Sequence, residues 1–264
     1  MDMIQLGDVT LHYRLEGDPD GAPVVFANSL GTDFRLWDQV LPYLPAGLKI
    51  LRFDKRGHGL SSCPAGDYRM SDLVQDTVRL LEALDIRDCL FVGLSIGGII
   101  AQGLAADYPQ LVRAMVISNT AARIGTEAMW QERIDAARAG GLEALADSVM
   151  QRWFSSDFRQ QREHELTAWR NMLTRTPLDG YIGCSAAIAA NDFTESTAGL
   201  NLPTLAIAGS EDGSTPPDLV RATADLIPGS RFEVIDNAGH LPCVEQPATY
   251  ARILNDFILE QGYA

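Results

Sequence analysis

The sequence predicts an α/β protein: a mostly parallel β-sheet flanked by helices and interrupted by one inserted helical segment. Three observations predict it. Short apolar runs alternate with helix-like segments up to residue 121 and again after residue 195. Some of those runs, CLFVGL above all, are apolar at every position, as strands covered on both faces of a parallel sheet are. Between the two regions, residues 122–195 carry no strong strand signal.

In chain order, LHYRLEG and PVVFANS are short, rich in β-branched and aromatic residues, and separated by turn formers, so both read as strands. KILRFD is a further strand, closed by the loop Arg56-Gly57-His58-Gly59. A helix is expected to start at Ser71 as N-cap and to run through DLVQDTVRLLEALD, burying Val74, Val78, Leu81 and Leu84 on one face. CLFVGL then reads as a buried strand, GIIAQGLAADY as a helix and VRAMVISNT as a strand. The segment that follows, MWQERIDAARAGGLEALADSVMQRWF and onward, is helical and rich in Arg and Trp. It is either a helical domain of its own or a lid over a site in the core. The organisation read from this is a core of residues 1–121 and 196–264 with a helical cap at 122–195. The alternation resumes with the strand PTLAIAGSED, the helix DLVRATADLI, the strand RFEVID and a last helix within PATYARILNDFILEQG.

Composition narrows the function. Apolar residues make up 46% and charged residues 21% of the 264-residue chain, an ordinary globular balance. Thirty-five acidic residues against 21 basic ones give a net charge of −14, which argues against nucleic-acid or anionic-membrane partners. Cys63, Cys89, Cys184 and Cys243 form no C-x-x-C pair, so neither a zinc ribbon nor a disulfide scaffold is expected. The N-terminal MDMIQLGDVTLHYR has no long apolar run and does not read as a secretory signal. The charge-free stretch Cys89–Ala106 is near the minimum length of a membrane span, but its glycines and Gln102 mark it as strand, turn and helix. A cytoplasmic location is the expectation.

Gly93-Leu94-Ser95-Ile96-Gly97 fits G-x-S-x-G, and it lies where the strand LFVGL meets the helix GIIAQGLAA. A tight strand-to-helix turn lifts a serine into exposure and requires small neighbours two positions away. The alternative is a glycine-rich connection whose serine merely caps the helix. A serine hydroxyl needs a base. Of the four histidines, His12 lies in an early strand, His58 in the RGHG loop and His164 in a charged helix. His240 follows the strand RFEVID at the end of the sheet where α/β folds collect their sites, and is the candidate base. The base in turn needs a carboxylate. Asp212 in GSEDGSTPP is the candidate and adjacent Glu211 the reserve, giving the chain order Ser95, Asp212, His240. The Ile96 N–H, directly after the serine, and the Leu30 N–H, in the loop Asn28-Ser29-Leu30-Gly31, are candidate donors to a developing oxyanion.

These motifs resemble those of α/β-hydrolases over essentially the whole chain and, more narrowly, those of the 3-oxoadipate enol-lactonases. The matching segments are FANSLGTDFRLWD, FDKRGHGLS, GLSIGGIIAQGLA, SNTAARIGT, RWFSSDF and GYIGCSAAIAANDF. Many members of the wider fold have His-Gly at the oxyanion loop; Asn28-Ser29 departs from them and agrees with the enol-lactonases. The resemblance implies that Ser95, Asp212 and His240 form a triad and that Leu30 and Ile96 donate to the oxyanion. It also implies a small lactone substrate carrying a carboxylate, opened to 3-oxoadipate in aromatic-compound catabolism without metal or organic cofactor. A carboxylate needs a local cation; of Arg123, Arg133, Arg138 and Arg152 in the helical segment, Arg133 beside Trp130 is the candidate, with Trp153 as a pocket wall. Esterases, C–C bond hydrolases and perhydrolases would use the same triad, and a slow hydrolase acting as a small-molecule receptor is the reading from another class.

Overall fold

The computed structural model describes residues 1–264. Its sheet has eight strands: β1 (Asp2–Leu6), β2 (Val9–Gly17), β3 (Ala22–Ala27), β4 (Leu48–Phe53), β5 (Cys89–Leu94), β6 (Val112–Ser118), β7 (Thr204–Gly209) and β8 (Arg231–Ile235). Their spatial order is β1-β2-β4-β3-β5-β6-β7-β8. The β1–β2 and β2–β4 pairs are antiparallel and all others parallel. Every residue of β5 and β7 is buried, as their unbroken apolar sequences require when helices cover both faces. β1 has no counterpart in the sequence reading. It is short and at the sheet edge, and only Ile4 and Leu6 turn inward, too few positions to stand out as an alternation.

The main core helices are α1 (Met70–Ala83) and α2 (Ile96–Asp107) after β4 and β5, with α9 (Pro217–Ala224) and α11 (Pro247–Glu260) late in the chain. The N-cap of α1 is Arg69, two residues before the expected Ser71: Ser71 is exposed in the first turn, and the Asp72 carboxylate reaches back to accept the Arg69 N–H at 2.8 Å. Val74, Val78 and Leu81 are buried as the periodicity required, and Leu84 is half-buried. Between β6 and β7 the chain is helical: α3 (Glu127–Gly140), α4 (Glu143–Trp153), α5 (Ser156–Gln161), α6 (Glu163–Thr174), α7 (Leu178–Ala189) and α8 (Thr194–Ala198). A four-residue helix, α10 (Pro242–Glu245), precedes α11. No helix is long and apolar enough to cross a membrane.

Strand order places the site. From β3 the chain moves outward to β4, then returns to lay β5 on the other side of β3. The loops after β3 and β5 therefore leave in opposite directions and open a crevice at the carboxyl ends of the strands, where doubly wound sheets bind ligands. Asn28–Gly31 and Ser95 both fall at this point. The RGHG loop is fastened beside it by a buried ion pair, with Arg56 Nε and Nη2 donating to Asp76 of α1 at 2.6 and 2.7 Å.

Asp76→Ala strands the buried Arg56 charge and should cost about 3–5 kcal/mol in urea unfolding, whereas Arg56→Met with Asp76→Leu should recover most of that loss.

Candidate active site

Ser95 sits between β5 and α2 with φ 57° and ψ −118°. Such a backbone costs a non-glycine residue about 1–3 kcal/mol and persists only where its surroundings enforce it. Here the Ser95 N–H donates to Ser118 O at 2.9 Å, and Thr120 Oγ1 donates to Ser95 O at 2.7 Å. The Gly98 and Ile99 N–H groups donate to the same carbonyl at 2.8 and 3.2 Å. A Cβ on Gly93 would lie 2.1 Å from Gly97 O. A Cβ on Gly97 would lie 2.2 Å from Ala27 O, so that glycine is demanded by the end of β3 as much as by the turn. Ser95 is the N-terminal flanking residue of α2, yet its hydroxyl makes no capping bond. It is left to face a cavity.

His240, 2% exposed, lines the same cavity. Asp212 Oδ2 lies 2.9 Å from its Nδ1 and also accepts Asn119 Nδ2 at 2.8 Å and Thr215 Oγ1 at 2.7 Å. Asp212 Oδ1 accepts the Ser214 and Thr215 N–H groups at 2.7 and 3.0 Å. Burial pushes the Asp212 carboxyl upward. The His240 charge and the hydrogen bonds from His240, Asn119 and Thr215 outweigh it, leaving the group below the usual carboxylate range. An ionised carboxylate only accepts, so the proton between them belongs to His240 Nδ1 and Nε2 is the basic nitrogen. No hydrogen bond joins Nε2 to Ser95, a contact that commonly closes only around substrate. The histidine's loop is held by the His240 N–H donating to Trp153 O at 2.8 Å and by Glu245 accepting the Gly239 N–H at 2.6 Å. Glu211 is exposed and accepts from the Ser156 N–H at 3.1 Å, away from the imidazole. His164 is exposed, His12 faces Asp54 at 2.7 Å outside this cavity, and His58 accepts the Gly31 N–H through Nε2 at 2.9 Å.

Two backbone donors remain free beside Ser95. Gly31 N–H is spent on His58 and Thr32 N–H on Ser29 O at 3.3 Å, which leaves the Leu30 N–H unpaired at the cavity wall. Ile96 opens α2, and the first helical N–H has no partner within the helix.

The cavity encloses about 330 Å³ and is roofed by α3, α4 and α7. Trp130 and Trp153 line it, as does Arg133, whose guanidinium lies 5.2 Å from the Trp130 ring centroid and 5.9 Å from that of Tyr181. Arg152 lines it too, and burial followed by the charge of Arg133 pulls its pKa down. Neither arginine has an acidic partner. Arg123 and Arg138 point elsewhere, paired with Asp192 at 3.4 Å and with Asp135 and Asp67 at 3.7 and 3.8 Å. Sequence reasoning singled out Arg133 and passed over Arg152, since the two meet only once α3 packs beside α4. It missed Asn119 and Thr120 as well; both lie in the quoted SNTAARIGT, but their partners Asp212 and Ser95 are distant or hidden in backbone carbonyls. No group of three or more His, Cys, Asp or Glu side chains is placed to hold a metal. A free hydroxyl, a carboxylate-held imidazole and two unpaired N–H groups around one cavity are what acyl transfer through serine needs.

A sheet of this order with a serine at the turn after β5 defines a class of hydrolytic enzymes, and the chain belongs to the α/β-hydrolase family, whose profile matches residues 22–247. Within that family it is similar to 3-oxoadipate enol-lactonases 2 and 1 of Acinetobacter baylyi, at 33% and 34% identity over 249 residues, covering 94% of this chain and 93% of each relative. Among solved structures it is similar to the enol-lactonase from Burkholderia xenovorans LB400, with 33% identity, a TM-score of 0.95, and coverage of 98% of this chain and 100% of that one.

The depressed Asp212 pKa carries a signed consequence. Ionisation stabilises the fold above the pH where the unfolded carboxyl titrates, about 3.9, and that contribution is lost as pH falls through the lower folded value. Urea unfolding of wild type and Asp212→Asn should show a gap at pH 7 that narrows below about pH 4. A gap that stays constant with pH would mean the carboxyl is not ionised in the folded protein.

Proposed function

We propose that the protein is a serine hydrolase that opens 3-oxoadipate enol-lactone to 3-oxoadipate, a step in aromatic-compound catabolism. The observation that carries this reading is the pairing, in one cavity, of the Ser95–His240–Asp212 constellation with two arginines that lack acidic partners. An acyl-transfer centre accounts for the first, and a substrate bearing its own carboxylate accounts for the second. Similarity to enol-lactonases over nearly the whole chain supports the same substrate.

In this mechanism Ser95 Oγ gives its proton to His240 Nε2 and attacks the lactone carbonyl. The Leu30 and Ile96 N–H groups donate to the carbonyl oxygen as it gains charge. Collapse breaks the ring C–O bond, and the leaving enol oxygen, still tethered through the acyl chain, takes the proton from His240 Nε2; the enol tautomerises to the ketone and His240 is neutral again. Water, losing a proton to His240, then attacks the acyl-enzyme and frees 3-oxoadipate and Ser95. Asp212 keeps the imidazole in the right tautomer and stabilises its cation. Arg133 and Arg152 hold the substrate carboxylate, and Trp130 and Trp153 wall the ring. Residues 122–195 act as the lid and no cofactor takes part.

Freshly generated enol-lactone and p-nitrophenyl butyrate, each assayed with wild type and Ser95→Ala, test the reading. Lactone turnover well above ester turnover, with both lost in the variant, is expected. Ester hydrolysis without lactone turnover would move the assignment to a carboxylesterase, and activity retained by Ser95→Ala would remove the nucleophile. Arg133→Leu should raise KM for the lactone about 10- to 100-fold, the worth of a charged hydrogen bond, and leave the uncharged ester nearly unaffected.

A further inference from the structure

Lys55 is an ammonium buried directly behind the oxyanion loop. It follows β4, is 3% exposed, and forms no ion pair. The nearest carboxylate in sequence, Asp54, is occupied: its Oδ2 faces His12 Nδ1 at 2.7 Å and its Oδ1 accepts the Phe34 N–H at 2.8 Å. Lys55 Nζ donates instead to Ser29 O at 2.6 Å and Asn28 O at 3.3 Å. Burying an unpaired charge is expensive, and a neutral donor would serve to tie down a turn. The charge itself calls for an explanation.

The geometry supplies one. Ser29 C=O and Leu30 N–H belong to the same planar trans peptide and so point in opposite directions. Ser29 O is gripped from behind by Lys55, by the Thr32 N–H at 3.3 Å and by Thr32 Oγ1 at 2.9 Å. The Leu30 N–H is thereby turned to the cavity. A cation on the carbonyl of a peptide also draws electron density from its nitrogen and makes the N–H a stronger donor, as hydrogen bonds in series polarise one another. His58 completes the arrangement by taking the competing Gly31 N–H.

We propose that Lys55 is a positioning residue for acyl transfer at Ser95, aiming and polarising the Leu30 N–H toward the substrate oxygen as negative charge develops on it. This rests on the reading of Ser95 as nucleophile and, for the adipate arm of the test, on Arg133 and Arg152 as a carboxylate site, but not on lactone turnover. The charged and titratable groups around Lys55 are Asp54 and His58 in its own loop, Asp33 after β3, and Cys184 of α7. Burial lowers Lys55 to about 8 against the pull of Cys184, Asp54 and Asp33. Burial, then the charge of Lys55, keeps His58 neutral, and burial pushes the Cys184 thiol up to about 12. Within this cluster Lys55 is therefore the group that changes charge near pH 8.

The test uses p-nitrophenyl butyrate, with an alkylboronic acid as a tetrahedral adduct former and adipate as a ground-state ligand. Lys55→Met and Lys55→Gln should each lower kcat about 10- to 100-fold, at or below the loss from deleting an oxyanion donor outright, with KM changed less than about threefold. Boronate affinity should fall by the same factor as kcat, while adipate affinity stays at the wild-type value. Wild-type kcat should decline as pH rises through about 8, where the ammonium loses its proton, and Lys55→Met should show no such decline. Wild-type kcat and boronate affinity in either variant, or boronate and adipate affinities weakened alike, would overturn the proposal. If neither variant folds, the wild-type protein decides: a kcat and boronate affinity both flat from about pH 7 to 9.5 would overturn it. Activity surviving in Ser95→Ala would instead bring down the nucleophile reading on which the proposal stands.

Discussion

The contact on which the rest of this molecule depends is the approach of α2 to the ends of β3 and β5. It is closer than a side chain permits: a Cβ at residue 93 or 97 would lie inside van der Waals contact with Gly97 O or Ala27 O. Because those positions are glycine, the turn can tighten enough to hold Ser95 at φ 57°. The strain is local, while the restraint comes from elsewhere, from Ser118 and Thr120 at the end of β6. The same closeness puts the start of α2 against the end of β3, just before the loop that carries Leu30.

From that contact outward the site is built by saturating buried polar groups. Asp212 accepts from five donors contributed by three segments, and Glu245 accepts from Gly239 and Ser155, tying the histidine loop to the end of α4. An anion held this way stays ionised despite burial, and an imidazole facing it has its tautomer chosen. Against this background the groups left without a partner stand out: the Ser95 hydroxyl, the Leu30 and Ile96 N–H groups and Arg133 Nε, beside an Arg152 that has no acidic partner. Ser95, Leu30, Arg133 and Arg152 line the same cavity, and Ile96 follows Ser95 in the chain. Trp37 Nε1, Tyr250 OH and Asn255 Oδ1 are also buried without partners, but they are scattered, whereas these groups converge.

Charge follows the same division. The chain as a whole carries −14, yet the cavity presents two arginines and, behind its wall, an unpaired lysine. Salt damps the field of distant surface carboxylates over about 8 Å, whereas a cation in a partly dry pocket acts at full strength on whatever enters. An acidic protein can therefore hold an anionic substrate.

The sequence by itself determined the class of fold, because apolar runs buried on both faces and a break in their alternation survive as local pattern, visible in CLFVGL and in residues 122–195. It also exposed Ser95, Asp212 and His240, since each stands in a short motif at the end of a strand. Steric need made the glycines around Ser95 legible, and Leu30 and Ile96 could be picked as candidate backbone donors from position alone. What only the tertiary structure decided were relations between segments far apart in the chain. Asn119 meets Asp212, Arg152 joins Arg133, and Lys55 reaches the carbonyl of Ser29; no local pattern encodes these, because each partner is an ordinary polar residue until folding removes water from both. The edge strand β1 and the start of α1 at Met70 escaped because their signals are brief: β1 has only Ile4 and Leu6 facing inward, and the N-cap of α1 is Arg69, marked by the Asp72 carboxylate reaching back to its N–H. Local chemistry thus named the candidate groups, and packing selected which of the remaining charges lie beside them.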